Sequence, residues 1–186
     1  LHQRLPDVPH VQDADRVEAA RIAVEELETQ YILMDDGFQH RRLHRDLDLV
    51  LIDATCPFGY GRLLPRGLLR EPVAGIRRAD AVIVTRCDQV TREELSRIRD
   101  AVRRHHPEVP LLKCVHRAAT LIQSNGKREA IETLKDQPVA TFCGIGNPQA
   151  FHTSLRGIGT QVVASRELPD HAEYDRETVR DLIQWL

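Results

Sequence analysis

Tyr31-Ile32-Leu33-Met34-Asp35-Asp36-Gly37 and Leu47-Asp48-Leu49-Val50-Leu51-Ile52-Asp53 decide how this chain is read. Each holds a short apolar run that stops at a carboxylate. Runs of this length, bounded by acids and turn residues, predict buried strands. Ala81-Val82-Ile83-Val84, ending at Thr85-Arg86, predicts a third. Because these runs barely alternate, they read as parallel strands covered on both faces.

Working outward, Val17, Ala20, Val24 and Leu27 fall at helical spacing, and Asp15 with Glu18 makes a capping-box-like start, so residues 13–28 predict a helix. Thr91-Arg92-Glu93-Glu94 is a capping box, with Val90 and Leu95 placed as a hydrophobic staple. Its helix should bury Leu95, Ile98 and Val102 and stop before Pro107. Leu111 to Val115 predicts a strand. Ser124-Asn125-Gly126-Lys127 marks a turn beside Leu121-Ile122, a hairpin or a linker. Val139 to Cys143 predicts a strand that runs into Gly144-Ile145-Gly146, with Asn147 as N-cap and Pro148 as first helical residue. Val162-Val163 predicts another strand, and Val179, Leu182, Ile183 and Leu186 belong to a last helix. Helices and strands alternating in this way predict an α/β fold with a mostly parallel sheet.

The chain has 186 residues, 29% charged and 41% hydrophobic, which excludes collagen-like and wholly disordered classes. No stretch approaches the about 18 consecutive apolar residues of a membrane span. A formal charge of −2 argues against a strongly basic nucleic-acid binder. The cysteines, Cys56, Cys87, Cys114 and Cys143, form neither a zinc-type pair nor a dense disulfide framework, and read as free thiols of a reducing compartment. Arginine crowds residues 38–78, where Arg41, Arg42, Arg45, Arg62, Arg66, Arg70, Arg77 and Arg78 face only four acids. That excess reads as a solvated face, or as a site for phosphate or an anionic lipid surface.

Asp35 and Asp36 end a strand at the edge where open α/β sheets hold ligands. In P-loop nucleotide enzymes an acid there holds Mg²⁺ bound to phosphates. Read alone, Asp36-Gly37 is equally a turn and Asp35 a cap. Neither G-x-x-x-x-G-K-[ST] nor the dinucleotide glycine fingerprint occurs. The glycine turn at Gly144 offers an anion-friendly helix start, or simply a tight turn. Residues 59–72 form a loop rich in Gly, Pro and Arg whose leucines alternate with arginines, suited to a lipid- or phosphate-facing surface or to an ordinary packed loop. Asp170-His171 sets a carboxylate beside an imidazole, a pair able to move a proton.

Taken together, several segments resemble the tetraacyldisaccharide 4'-kinase family of lipid A biosynthesis. They are Asp35 to His40, Arg45-Asp46-Leu47-Asp48 with its strand to Asp53, Gly61 to Pro65, and Leu69-Arg70-Glu71-Pro72. Further along come Arg78-Ala79-Asp80 with its strand to Arg86, Gly144 to Pro148 with Phe151, and Pro169-Asp170-His171. The resemblance implies a P-loop-NTPase-like core lobe over 1–118, a hairpin or linker over 119–137, and a smaller C-terminal α/β lobe over 138–186. It implies an ATP- and Mg²⁺-dependent kinase acting on an acylated glucosamine disaccharide phosphate, peripheral to the cytoplasmic face of the bacterial inner membrane, with no nucleic-acid partner. Asp35 and Asp36 would sit at the Mg²⁺–nucleotide site, with Gln39 and His40 lining the same cleft. Arg70 and Glu71 would face the phosphates or their metal, and Asp170 and His171 would assist the catalytic base. It further implies that the family's P-loop and an acidic segment precede Leu1, the stretch Leu1 to Pro6 following that segment, and that a further stretch follows Leu186. Two rivals use the same residues: a metal-dependent phosphohydrolase built on Asp35, Asp36 and His171, and a non-catalytic anion- or membrane-binding module built on residues 62–78.

Overall fold

The computed structural model describes residues 5–186. Leu1 to Arg4, most of the stretch set after the family's acidic segment, lie outside the described residues. The chain divides into two compact units. One comprises the residues up to Ile52, Cys56–Val84 and Ser96–Leu112, and the other comprises Asp53–Thr55, Thr85–Leu95 and Lys113–Leu186.

The first helix, α1, spans Arg16–Glu25, shorter than predicted at both ends. Asp15 caps it by accepting the Val17 amide at 2.9 Å. Only Ala23 of this helix is buried, and Val17, Val24 and the following Leu27 stay exposed. Strands β1 (Leu49–Asp53), β2 (Ala81–Thr85) and β3 (Leu111–Lys113) form one sheet in that order. Main-chain bonds fix their direction. Asp80 N donates to Asp48 O before β1 and β2, and Ala54 N donates to Thr85 O after them. Val82 N donates to Pro110 O, and Cys87 N to Cys114 O. Starts meet starts and ends meet ends, so all three strands run parallel.

Two expectations need correction. Tyr31 to Met34 is not a strand: Tyr31 is 89% and Leu33 99% exposed. The described sheet ends at β1, and this segment does not pair with that edge, so its N–H and C=O groups join no ladder. Nor are the strands all covered on both faces. β2 is, with Val82 and Val84 fully buried, but β1 is an edge strand on which Leu49 and Leu51 are exposed.

Helix α2 runs over Arg92–His105. Its capping box is reciprocal, since Glu94 N donates to Thr91 Oγ1 at 3.2 Å and Thr91 N to Glu94 Oε2 at 2.8 Å. Ile98 and Val102 are buried, Leu95 half-buried, and the helix ends before Pro107, as predicted. Val82, Val84, Val102 and Val109 are the best-buried side chains of the first unit's core. At about 0.8 kcal/mol per buried methylene, such valines are what hold β2 and α2 in place.

The second unit holds an antiparallel hairpin of β4 (Thr120–Ile122) and β5 (Arg128–Ala130) around the predicted turn at Gly126. It also holds a parallel pair, β6 (Pro138–Cys143) with β7 (Gln161–Glu167), joined by helix α3 (Pro148–Ile158). Asn147 caps α3, its Oδ1 accepting Ala150 N at 3.0 Å, and Pro148 opens it as expected. Gly159 closes α3 at φ 88°, the left-handed region glycine enters without strain. Helix α4 (Arg176–Trp185) completes the unit.

Candidate functional site

In the first unit, the segments singled out by resemblance come together. Asp35 and Asp36 lie in a turn, Asp36 at φ 53°, a conformation Asp tolerates better than most residues. Buried Gly37 follows, and a Cβ there would sit 2.7 Å from Met34 Cγ, so a close approach demands the glycine. Asp35 is exposed. Asp36 forms a two-pronged ion pair with Arg70: Nη1 donates to Oδ2 at 2.7 Å and Nη2 to Oδ1. The hydrogen bonds from Arg70 hold the Asp36 carboxyl below the usual carboxylate range.

Gln39 Nε2 donates to Glu71 Oε1 at 2.9 Å, joining the same two segments a second time. Arg78 Nη2 donates to both Glu71 oxygens, at 2.8 and 2.9 Å. Arg78 and then Gln39 hold the Glu71 carboxyl below its ordinary value against the opposing effect of burial. Main-chain anchors fix the turn from its other side. Arg45 Nη1 donates to the carbonyls of His40 at 2.5 Å and Leu43 at 2.9 Å. Arg45 also grips Asp48 through Nε at 2.6 Å and Nη2 at 3.0 Å. Asp48 N donates in turn to Asp80 Oδ2 at 2.7 Å, so the Arg45–Asp48 and Arg78–Asp80 motifs meet.

Buried polar atoms without a partner are costly, and native structures keep few of them. Among the described residues there are four: Gln39 Oε1, His40 Nε2, Arg78 Nε and Thr160 Oγ1. Three of the four belong to this one cluster.

In the second unit, His171 stands at φ 57° with its side chain 96% exposed. Its Nε2 lies 3.9 Å from Asp170 Oδ2, too far for a hydrogen bond. The loop that carries them rests on the glycine turn. A Cβ at Gly144 would come within 3.0 Å of Pro169 O, and one at Gly146 within 3.2 Å of Asp170 Oδ2.

A polar network at the ends of β1 and β2 escaped the sequence reading. Asp53 accepts from Thr55 N at 2.9 Å, Thr55 Oγ1 at 2.7 Å, Arg86 Nη1 at 2.5 Å and Asn147 Nδ2 at 3.4 Å. Burial pushes the Asp53 carboxyl up, but the Thr55, Arg86 and Asn147 donors prevail and bring it below its ordinary value. Arg86 itself sits at φ 54°, strained backbone of the kind that clusters at functional positions. The signal was available, since Asp53 and Arg86 end predicted strands at the ligand-binding edge just as Asp35 and Asp36 follow an apolar run. His152, buried on α3, meets Ser165 Oγ at 3.1 Å and Glu167 Oε1 at 3.4 Å. Both contacts are to Nε2, so the three do not form a proton relay.

The metal ligands expected are Asp35 and Asp36, with Glu71 facing the phosphates or their metal and His171 joining the acids in the phosphohydrolase reading, and the described residues contain no group of three His, Cys, Asp or Glu able to hold a metal. Two adjacent acids nevertheless suit Mg²⁺, which takes one or two carboxylates and completes its shell with phosphate and water.

A parallel sheet with Asp53 and Arg86 at the carboxyl ends of two of its strands is that of an open α/β protein, the class that holds ligands at that edge. Among such proteins the chain belongs to one family, whose model, described as Tetraacyldisaccharide-1-P 4'-kinase, matches residues 1–185. The tetraacyldisaccharide 4'-kinase of Halothermothrix orenii is 34% identical over 180 residues, 91% of this chain and 47% of its own length. That of Anaeromyxobacter dehalogenans strain 2CP-1 is 40% identical over 94% of this chain and 46% of its own. The crystal structure of LpxK from Aquifex aeolicus in complex with ATP is 31% identical at a TM-score of 0.60, covering 87% of this chain and 47% of that one. The chain thus spans about half the length of the curated relatives it matches.

Proposed function

We propose that this chain forms part of an ATP-dependent kinase of lipid A biosynthesis. The kinase transfers the γ-phosphoryl group of ATP to the 4'-hydroxyl of tetraacyldisaccharide 1-phosphate. Family membership supports the reaction. One observation supports the site: Asp36 bonds Arg70 and Gln39 bonds Glu71, so two segments more than thirty residues apart form a single cluster.

In this reading Asp35 and Asp36 hold Mg²⁺. When bound, the ion neutralises charge on the phosphates, and the rest of catalysis is positioning. Arg70 keeps Asp36 ionised and adds positive charge beside the phosphates. Gln39 and His40 line the cleft with the partnerless atoms Oε1 and Nε2; a water of the phosphate shell would donate to Oε1, and Nε2, when it carries a proton, would donate to a phosphate oxygen. Asp170 and His171 assist the catalytic base, and the high exposure of His171 leaves its ring free to reach an acceptor hydroxyl. The arginine-rich loop, with Leu63, Leu64 and Leu68 exposed among Arg62 and Arg66, meets the anionic glycolipid and the inner-membrane surface. No described helix is long and apolar enough to cross a membrane, so in this reading attachment is peripheral.

The test is Asp36→Ala in the full-length protein, assayed for phosphate transfer from ATP to the tetraacyldisaccharide. We expect turnover to fall by about two orders of magnitude, the scale on which one lost electrostatic group acts. Undiminished turnover would remove Asp36 from the site.

A further inference from the structure

We infer that Arg78, which no resemblance places in the site, is the positioning residue that locks the Asp36–His40 turn to the Arg70–Glu71 segment in the geometry that receives nucleotide phosphates. The inference deepens the kinase reading and rests on it.

Arg78 touches both segments at once. Its Nη2 donates to Glu71 Oε1 and Oε2, and also to the Phe38 carbonyl at 3.3 Å. Its guanidinium carbon lies 4.4 Å from the centroid of the Phe38 ring. One cation therefore lies over the turn's aromatic ring and, through a single nitrogen, bonds both oxygens of the neighbouring segment's carboxylate. Arginine suits this double contact because its extended guanidinium covers the Phe38 ring with its carbon while Nη2 reaches Glu71, whereas the lysine ammonium is a point charge that holds one place at a time. Both partners are about three-quarters removed from solvent, with side-chain exposures of 28% for Arg78 and 24% for Glu71. Their contact is consequently less screened than a surface pair.

The base from which Arg78 reaches is rigid. It ends the short 3-10 helix Val73–Arg78, whose Ile76 is buried, and buried Ala79 follows. Gly75 in that helix has no side chain where Glu71 lies, and a Cβ there would collide with Glu71 Oε2. The backbone is thus shaped to admit the carboxylate. The Glu71 carboxylate only accepts, so Gln39 meets its Oε1 through Nε2, and Gln39 Oε1 is left unpartnered. Arg78 in this way holds in place the carboxylate that orients Gln39.

The experiment uses the full-length protein with Arg78→Gln, Arg78→Lys, Glu71→Gln and the Arg78→Gln/Glu71→Gln double variant. ATP affinity is measured by calorimetry without acceptor, KM for ATP and kcat by phosphate transfer, and folding by thermal midpoint. Partners that orient a ligand-bearing group typically change affinity by about 10–100-fold. We expect Arg78→Gln and Arg78→Lys each to raise the Kd and KM for ATP on that scale, with a much smaller change in kcat. In the Glu71→Gln background, Arg78→Gln should add less than about twofold, the signature of two residues acting as one. If Glu71→Gln weakens ATP but both Arg78 variants, folded, bind it normally, the inference is overturned and the kinase site stands. Additive losses in the double variant overturn it as well. If Glu71→Gln leaves ATP binding unchanged, the assignment of Glu71 to the nucleotide site fails, and the inference falls with it.

Discussion

Glu71 illustrates what a carboxylate gains from its neighbours. Arg78, Gln39 and the more distant Arg41 all favour its charged form, and Arg70 does the same for Asp36. In the unfolded chain these acids return to ordinary values, about 4.3 for Glu and about 3.9 for Asp. The unfolded state therefore takes up protons first as pH falls. The stability these pairs contribute is complete above the ordinary values and drains away as pH drops through the lower folded ones. The urea midpoint should accordingly hold between pH 7 and about 5 and decline below about pH 4.5. Glu71→Gln should flatten part of that decline and leave the share due to Asp36 and Asp53. A variant with an unaltered acid limb would show that the pairing in the folded state is too weak to matter.

The capped starts of α2 and α3 were legible because they are decided within four residues, whereas both ends of α1 were overrun. Thr91 and Glu94 cap α2 as the spacing predicts, and Asn147 with Pro148 opens α3. Thr91→Ala should cost about 1 kcal/mol, read as a lowered urea midpoint with an unchanged slope. Strands were less legible, since a strand exists only beside a partner. The apolar run at Tyr31 satisfies every local rule and still lies outside the described sheet. The candidate cluster was half legible. Asp36, Gln39, Arg70 and Glu71 were foreseen, and the structure pairs them as two bonds between two segments. Arg78 stands in a segment that carries the resemblance but was given no role, because eight arginines crowd residues 38–78 and nothing local tells which of them will find a carboxylate. Asp53 was passed over for a different reason. Its partners Arg86 and Asn147 are 33 and 94 residues away, and only folding brings them close.

At the scale of the molecule, the balance between covered and uncovered apolar surface sets behaviour in solution. Val82, Val84, Val102 and Val109 are sealed, whereas Leu47, Leu49 and Leu51 are 60%, 47% and 66% exposed. These leucines alternate along and just before edge strand β1, so their side chains share one face. Contiguous apolar surface beside an open strand edge favours association. Light scattering from this polypeptide should rise more steeply than its concentration, and Leu51→Lys should restore proportionality. Equal scattering from both would mean that the stripe is inert. A row of leucines at a sheet margin is thus also a practical ceiling: it determines how strong a stock can be prepared before the tube turns cloudy, and a single lysine should raise it.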